Sequence, residues 1–184
     1  MTAAFAFSRG LASKRSKDPL GNKIGEDIAE VVARVSDKRP IGVIDPFAGS
    51  CNGLYAILRH LPGAKGIGFE VEPVVFDLTK RNIAQINAPI ELVQGSYKDL
   101  VAVRKHPADH RLVVFLAPPW GDALQPITGL HLDRTKPPIL EIVRDFEQVY
   151  GSQPVLYVTE VYEVNESTSF KAVEAAFDWT DLRI

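Results

Sequence analysis

Four short stretches carry residue types that can do chemistry, and each follows an apolar run. The first is Asp45-Pro46-Phe47-Ala48-Gly49-Ser50-Cys51-Asn52-Gly53, after Ile41, Val43 and Ile44. Gly49 and Gly53 have no Cβ, so backbone here can bend sharply or approach a ligand closely. A strand, such a loop and a helix N-terminus in succession form a nucleotide-type site at the carboxyl edge of an α/β sheet. The glycine spacing is not Gly-x-Gly-x-x-Gly and no Lys-Ser/Thr pair follows, which disfavours NAD and ATP. The second stretch is Gly68-Phe69-Glu70-Val71-Glu72-Pro73. A carboxylate at a strand end can accept from both hydroxyls of a ribose; two solvated surface acids are the plainer alternative. The third is Gln94-Gly95-Ser96-Tyr97-Lys98-Asp99. The Ser96 hydroxyl can accept a hydrogen bond, and Tyr97 or Phe69 can cover a flat ring. The fourth is Phe115-Leu116-Ala117-Pro118-Pro119-Trp120-Gly121. Consecutive prolines fix φ and present carbonyls with no competing N–H. Trp120 beside them can stack on a base, worth ~1–3 kcal/mol, or serve as an ordinary core or rim aromatic.

Together the four resemble the motif series of class I S-adenosylmethionine (SAM)-dependent methyltransferases. Asp-Pro-Phe-x-Gly-Ser-x-x-Gly is similar to their first motif. The resemblance implies SAM as cofactor, with Asp45, Phe47, Ala48, Gly49, Ser50 and Asn52 around its methionine end. It places Glu70 on the ribose, and Ser96 and Tyr97 at the adenine, where the family commonly has Gly-Asp instead of Gly95-Ser96. Ala117-Pro118-Pro119-Trp120 resembles the x-Pro-Pro-aromatic motif of enzymes that methylate planar amino nitrogens, and these four are the implied catalytic positions. The first residue of that motif is often Asp or Asn. Ala117 has no side-chain acceptor, so the backbone carbonyls of Ala117 and Pro118 are expected to meet the amine. The run Val113–Gly121 is similar to RNA cap guanine-N2 methyltransferases, although Asp122 stands where they have a second Gly. The Asp-Pro-Phe-x-Gly-Ser form is closer to bacterial rRNA and DNA amino-methyltransferases. The implied function is SAM-dependent N-methylation of a nucleobase amino group, with RNA or a nucleotide as partner. A small-molecule methyltransferase and a catalytically degenerate SAM-binding module are the alternatives.

The elements that must position these residues follow from periodicity. Ile24, Ile28, Val31, Val32 and Val35 share one helical face and predict a helix over 22–36, with Asn22 as a possible cap. Strands are expected at 41–45, 65–71, 90–93, 112–116, 154–161 and 179–184. Helices are expected at 53–60, 73–85, 97–106, 137–150 and 167–177, the first of these ended by Pro62-Gly63. Pro73 suits a first helical position, with Glu72 as the cap. Residues 121–135 read as a long irregular loop in which His131 and Asp133 are weak candidates for substrate contact. Such alternation predicts an α/β, Rossmann-like and mostly parallel sheet with helices on both faces. The usual strand order of the resembled family is 3-2-1-4-5-7-6. Only one helix and one strand remain after 154–161, so the C-terminal end is expected to be shortened.

Composition bounds the rest. A chain of 184 residues suits one domain, here 22–184, preceded by a basic arm over 1–21. That arm carries Arg9, Lys14, Arg15 and Lys17 with no acid before Asp18. Its bias fits a disordered arm, an organelle presequence or a substrate-touching arm equally. The net charge of −2 argues against a strongly basic nucleic-acid binder but permits a local basic patch. Arg104, Lys105, His106, His110 and Arg111 form either such a patch or a solvated turn. Cys51 is the sole cysteine, so no intrachain disulfide can form and a reducing, cytoplasmic setting is expected. A thiol just before a helix can have a lowered pKa; a small buried residue is the other role open to Cys51. No histidine pair has metal-ligand spacing with carboxylates, and no metal is expected. No run of ~18 apolar residues suggests a membrane span.

Overall fold

Leu112 to Leu116 are all buried, and they form the central strand of a seven-stranded sheet. The computed structural model describes residues 4–9, 18–35, 37–151, 153–161 and 165–183. Its elements run β1 (Ala4–Arg9), α1 (Asp18–Ala33), β2 (Ile41–Asp45), α2 (Asn52–His60), β3 (Lys65–Glu70) and α3 (Pro73–Gln85). They continue with β4 (Ile90–Gln94), α4 (Tyr97–Leu100), β5 (Arg111–Leu116), β6 (Leu124–Gln125) and β7 (Gly129–Leu130). The chain closes with α5 (Ile139–Tyr150), β8 (Val155–Val161), α6 (Ser167–Glu174) and β9 (Trp179–Arg183).

A strand that is apolar on both sides needs a helical layer on each. Val113 and Phe115 pack with Val43, Val158 and residues of α1 and α2 such as Ile28 and Leu54. Leu112, Val114 and Leu116 turn the other way, onto Ile142, Phe146 and Tyr150 of α5. The sheet order is β4-β3-β2-β5-β8-β1-β9, and every strand pair in it is parallel. All carboxyl strand ends therefore face one edge, where Asp45, Glu70 and Leu116 stand.

The expected mostly parallel α/β sheet is present, and among the described residues one helix and one strand follow β8. The place beside β8 is filled from the other end of the chain. β1 lies between β8 and β9, parallel to both, with Ala4 opposite Leu156 and Trp179. These residues were expected in an arm outside the domain. The alternation of Ala4, Phe5, Ala6 and Phe7 is a strand signal, masked in the sequence by the basic residues that follow.

Several boundaries differ from expectation. α1 begins at Asp18, so Asn22 lies inside the helix and is not its cap. α4 stops at Leu100 instead of running to 106. Residues 121–135 are not one irregular loop: β6 and β7 pair antiparallel, and Leu130 and Leu132 are buried. The Ser169 hydroxyl of α6 accepts from the Leu132 N–H at 3.1 Å, which ties this segment to the core.

Gly21 and Gly25 let α1 lie close to α2. A Cβ on Gly25 would come within 2.8 Å of the Ala56 carbonyl oxygen and 2.5 Å of the His60 ring. The backbone oxygen cannot swing away. Gly25→Ala should therefore lose about 1–2 kcal/mol, because overpacking of ~1–3 kcal/mol outweighs the ~1 kcal/mol helix-propensity gain. Thermal unfolding should show a melting temperature roughly 2–8 °C lower; an unchanged or higher value would mean that the two helices are not in tight contact.

Candidate active site

The site is built where β2 ends. Asp45 is 3% exposed, and its Oδ1 accepts from the Phe47 N–H at 3.0 Å. That bond starts the turn that carries the chain off the strand. The loop is then pinned from three sides. The Ala48 N–H donates to the Phe69 carbonyl at 2.9 Å, and the Cys51 N–H to the Ala48 carbonyl at 2.7 Å. From α3, the Thr79 hydroxyl donates to the Gly49 carbonyl at 2.9 Å. Gly49 sits at φ +49°, a conformation that costs glycine little. The loop also lies flat on its neighbours: a Cβ on Gly68 would stand 2.8 Å from the Ala48 Cβ, and one on Gly53 3.1 Å from the Phe115 ring.

Cys51 caps α2 in the left-handed region, with no side-chain cap bond to the helix. The first amides of this nine-residue helix thus keep their hydrogen-bonding capacity. Burial pushes the Asp45 carboxyl up to about 7, the Phe47 N–H pulls it back, and the charge of Glu70 adds to the rise. Burial also pushes the Cys51 thiol up to about 12, with Asp45 and Glu70 adding to it. The open helix end does not activate this thiol, and Cys51 is the small buried residue of the two roles open to it.

Glu70 ends β3, as its place in the sequence implies. Its Oε1 accepts from the Glu72 N–H at 2.7 Å, which fixes the carboxylate at the strand end beside Gly49. Glu72 occupies the cap position of α3, but its side chain makes no cap bond.

A cavity of about 410 Å³ opens over the strand ends. That size suits a small-molecule site, for which roughly 300–1,000 Å³ is usual. One wall is the loop, through Asp45, Phe47, Ala48, Ser50 and Asn52. A second is the start of α1, through Leu20 and Asn22. Phe115 and Ala117 come from β5 and the turn after it, and Glu160 comes from β8.

The structure thus gathers Asp45, Phe47, Ala48, Ser50, Asn52 and Ala117 around one space, with Gly49 and Glu70 on the far flank of the loop. Pro118 is buried and Pro119 exposed. Trp120 is half-buried against the α5-side cluster and does not line the cavity. Two expectations at the adenine end change. Tyr97 is 2% exposed, its hydroxyl donates to Asp145 at 2.9 Å, and its ring stacks on Phe146 at 5.7 Å. Phe69 is 1% exposed. Both rings are core, because an apolar ring at the sheet surface gains more from packing than from standing free for a ligand, so neither covers an adenine. Ser96 caps α4, accepting from the Lys98 N–H at 3.2 Å, and so offers only part of its hydrogen-bonding capacity.

Other candidates lie elsewhere. His106 is buried, with Nε2 3.3 Å from the Val43 carbonyl, and Arg111 opens β5 at the opposite edge of the sheet. They do not rim this site. His131 is buried, and its Nε2 meets the Thr128 hydroxyl at 2.7 Å. Thr79, the start of α1 and Glu160 were missed. A lone Thr in a helix carries no signal, but an acid near the end of the apolar run Val155–Val161 is the same signal that singles out Asp45 and Glu70.

Solved structures share this architecture. The N-terminal domain of human METTL16, in complex with S-adenosylhomocysteine (SAH), aligns over 90% of this chain and 62% of its own, with a TM-score of 0.55 and 19% identity. SAH-bound PaMTH1, a methyltransferase of Podospora anserina, aligns over 78% of this chain and 53% of its own, with a TM-score of 0.50 and 10% identity. The fold is that of the class I methyltransferases. Trimethylguanosine synthase of Schizosaccharomyces pombe is 27% identical over 101 residues, 52% of this chain and 41% of that protein. The chain therefore spans less than half the length of the curated relative it matches. No family model matches the sequence.

Burial of Cys51 gives a check on the loop. With the thiol at about 12, alkylation by iodoacetamide at pH 8 should be at least ~100-fold slower in the native chain than after unfolding in urea. Equal rates would show that the loop does not close over β3 as described.

Proposed function

We propose that this chain is a SAM-dependent N-methyltransferase acting on an amino group of a nucleobase in RNA. The observation that carries this reading is the cavity shared by the Asp45–Gly53 loop and Ala117, which would bring a cofactor on the loop against an amine at the start of the Pro-Pro turn. The residues suit the cofactor. Asp45 and Glu70 lie at one strand edge, and among the described residues neither has a cationic partner. When bound, SAM supplies a methyl group on a sulfonium, and its positive charge complements this acidic edge. Asp45 would orient the ammonium of the methionine end and Glu70 would accept from the ribose hydroxyls. The open N-terminus of α2 offers its free amides to the carboxylate.

On the acceptor side, the carbonyls of Ala117 and Pro118 would take N–H bonds from the amine, held in place by the rigid Pro-Pro turn. Trp120, half-buried at that turn, keeps surface for stacking on a base. Holding donor and acceptor in line and excluding water carries most of the acceleration in such a transfer. The RNA assignment draws support from the match to trimethylguanosine synthase, whose name gives a methylated guanosine product. A net charge of −2 favours a small-molecule acceptor instead.

A methyl-acceptor screen with labelled SAM across RNA, DNA and aromatic amines tests the proposal. Label entering RNA, with affinity falling steeply between low and moderate salt, is the expected result. Salt-independent label in a small amine would replace RNA with the second reading, and no SAM binding by calorimetry would end both. Glu70→Ala should weaken SAM about tenfold by removing the charged ribose pair.

The Asp45 carboxyl adds a pH signature. Near pH 6 it is mostly protonated, and near pH 8 mostly ionised, given a value of about 7. A cationic ligand needs the ionised form, so SAM affinity should rise about tenfold from pH 6 to 8. Asp45→Asn should flatten that rise. The folding stability of the ligand-free chain runs the opposite way. Between its unfolded value of 3.8 and about 7, the native carboxyl holds a proton that the unfolded chain has lost, so stability falls as pH rises through that window. Asp45→Asn should accordingly melt higher than the natural sequence at pH 8.

A further inference from the structure

Ala117 leaves the acceptor motif without a side-chain hydrogen-bond acceptor, and the neighbouring strand end carries one. Leu116 of β5 is in register with Thr159 of β8, and the strands are parallel. The next residues, Ala117 and Glu160, therefore leave adjacent strand ends and project to the same face. Both line the cavity that holds Asp45. The Thr159 hydroxyl donates to the Leu116 carbonyl at 2.7 Å and ties the two ends together. Among the described residues, the Glu160 carboxylate has no hydrogen-bond or ion-pair partner. Burial holds its carboxyl above the usual range. A partly buried carboxylate without a donor carries a desolvation cost that a ligand N–H would remove.

We infer that Glu160 accepts an N–H of the amine to be methylated, replacing the side-chain acceptor that Ala117 lacks. The inference rests on the N-methyltransferase reading above. The strand order β2-β5-β8 puts Glu160 two strands from Asp45, on the acceptor side of Ala117 and away from the cofactor loop. Bases with an exocyclic amine (adenine, guanine, cytosine) present the N–H this carboxylate needs. Uracil and hypoxanthine present a carbonyl where cytosine and adenine carry the amine, which repels the carboxylate, and hypoxanthine has only a C–H where guanine carries its amine. An ionised acceptor also binds N–H more strongly than a backbone carbonyl does. In the transfer itself, the nitrogen lone pair forms the new N–C bond and the S–C bonding pair goes to sulfur, leaving SAH. The cationic nitrogen then loses one proton to the Glu160 carboxylate, which passes it to water.

The test uses the full chain loaded with SAH, titrated by calorimetry with adenosine, guanosine and cytidine monophosphates against inosine and uridine monophosphates. The natural sequence should prefer at least one amino base by about tenfold over the analogue without that amine, which is inosine for adenosine and guanosine and uridine for cytidine. Glu160→Gln and Glu160→Ala should each lose most of that preference while SAH affinity stays within about threefold. Single-turnover methyl transfer to the best acceptor should slow roughly thirtyfold in Glu160→Ala. Adding Ala117→Asn to Glu160→Ala, which puts an acceptor back at the motif position, should recover about tenfold of that loss. The inference is overturned if Glu160→Ala keeps both base preference and rate. It is equally overturned if that variant weakens SAH about tenfold, since Glu160 would then belong to the cofactor. Failure of the natural sequence to bind SAH or transfer methyl to any acceptor would instead remove the methyltransferase reading on which this rests.

Discussion

A carboxyl buried at the end of a β-strand must find a donor, and for Asp45 that donor is the Phe47 N–H. The rest of the site depends on this bond. It turns the chain at Pro46 and lowers the loop onto β3, where the Ala48 N–H meets the Phe69 carbonyl. It delivers Cys51 to the start of α2 in a conformation that leaves the first helical amides uncapped. One N–H does not fully offset burial, which is why the carboxyl still stands at about 7. A cationic ligand at the same edge would complete the compensation.

The sheet supplies the second constraint. In a wholly parallel sheet every strand ends on the same side, so acids at strand ends collect there without contact in sequence. Asp45, Glu70 and Glu160 belong to three different strands and share one edge. They are spread along that edge. Asp45 and Glu70 lie on paired strands, and the charge of Glu70 adds to the burial that holds the Asp45 carboxyl high. Glu160 lies beyond β5, beside Ala117, where the Pro118-Pro119 turn begins.

Packing decides which aromatic residues remain for a ligand. Tyr97, Phe146 and Tyr150 stack in series beneath the edge, and Phe47 meets Tyr97 edge to face. Tyr97, Phe146 and Tyr150 belong to the α5-side core, and Phe47 of this series lines the cavity. Among the motif aromatics, Phe47 and Trp120 are both half-buried. The same economy of space appears at Gly25, Gly53 and Gly68, where a side chain would strike its neighbour.

Local sequence by itself determined the elements and the acidic edge. β-branched runs marked the central strands, Pro62-Gly63 ended α2, and acids after apolar runs located Asp45 and Glu70. These signals are local: strand propensity, turn chemistry and the alternation of a parallel sheet are written within ten or so residues of one another. Tertiary structure decided what required two distant segments to meet. It withdrew Tyr97 and Phe69 into the core, folded 121–135 onto α6, and brought Ala4–Arg9 between β8 and β9. It also placed Glu160 beside Ala117, through a register between strands some forty residues apart. No periodicity encodes such a meeting, because strand order and register are set by how apolar faces close over the whole sheet, not by any one stretch of chain.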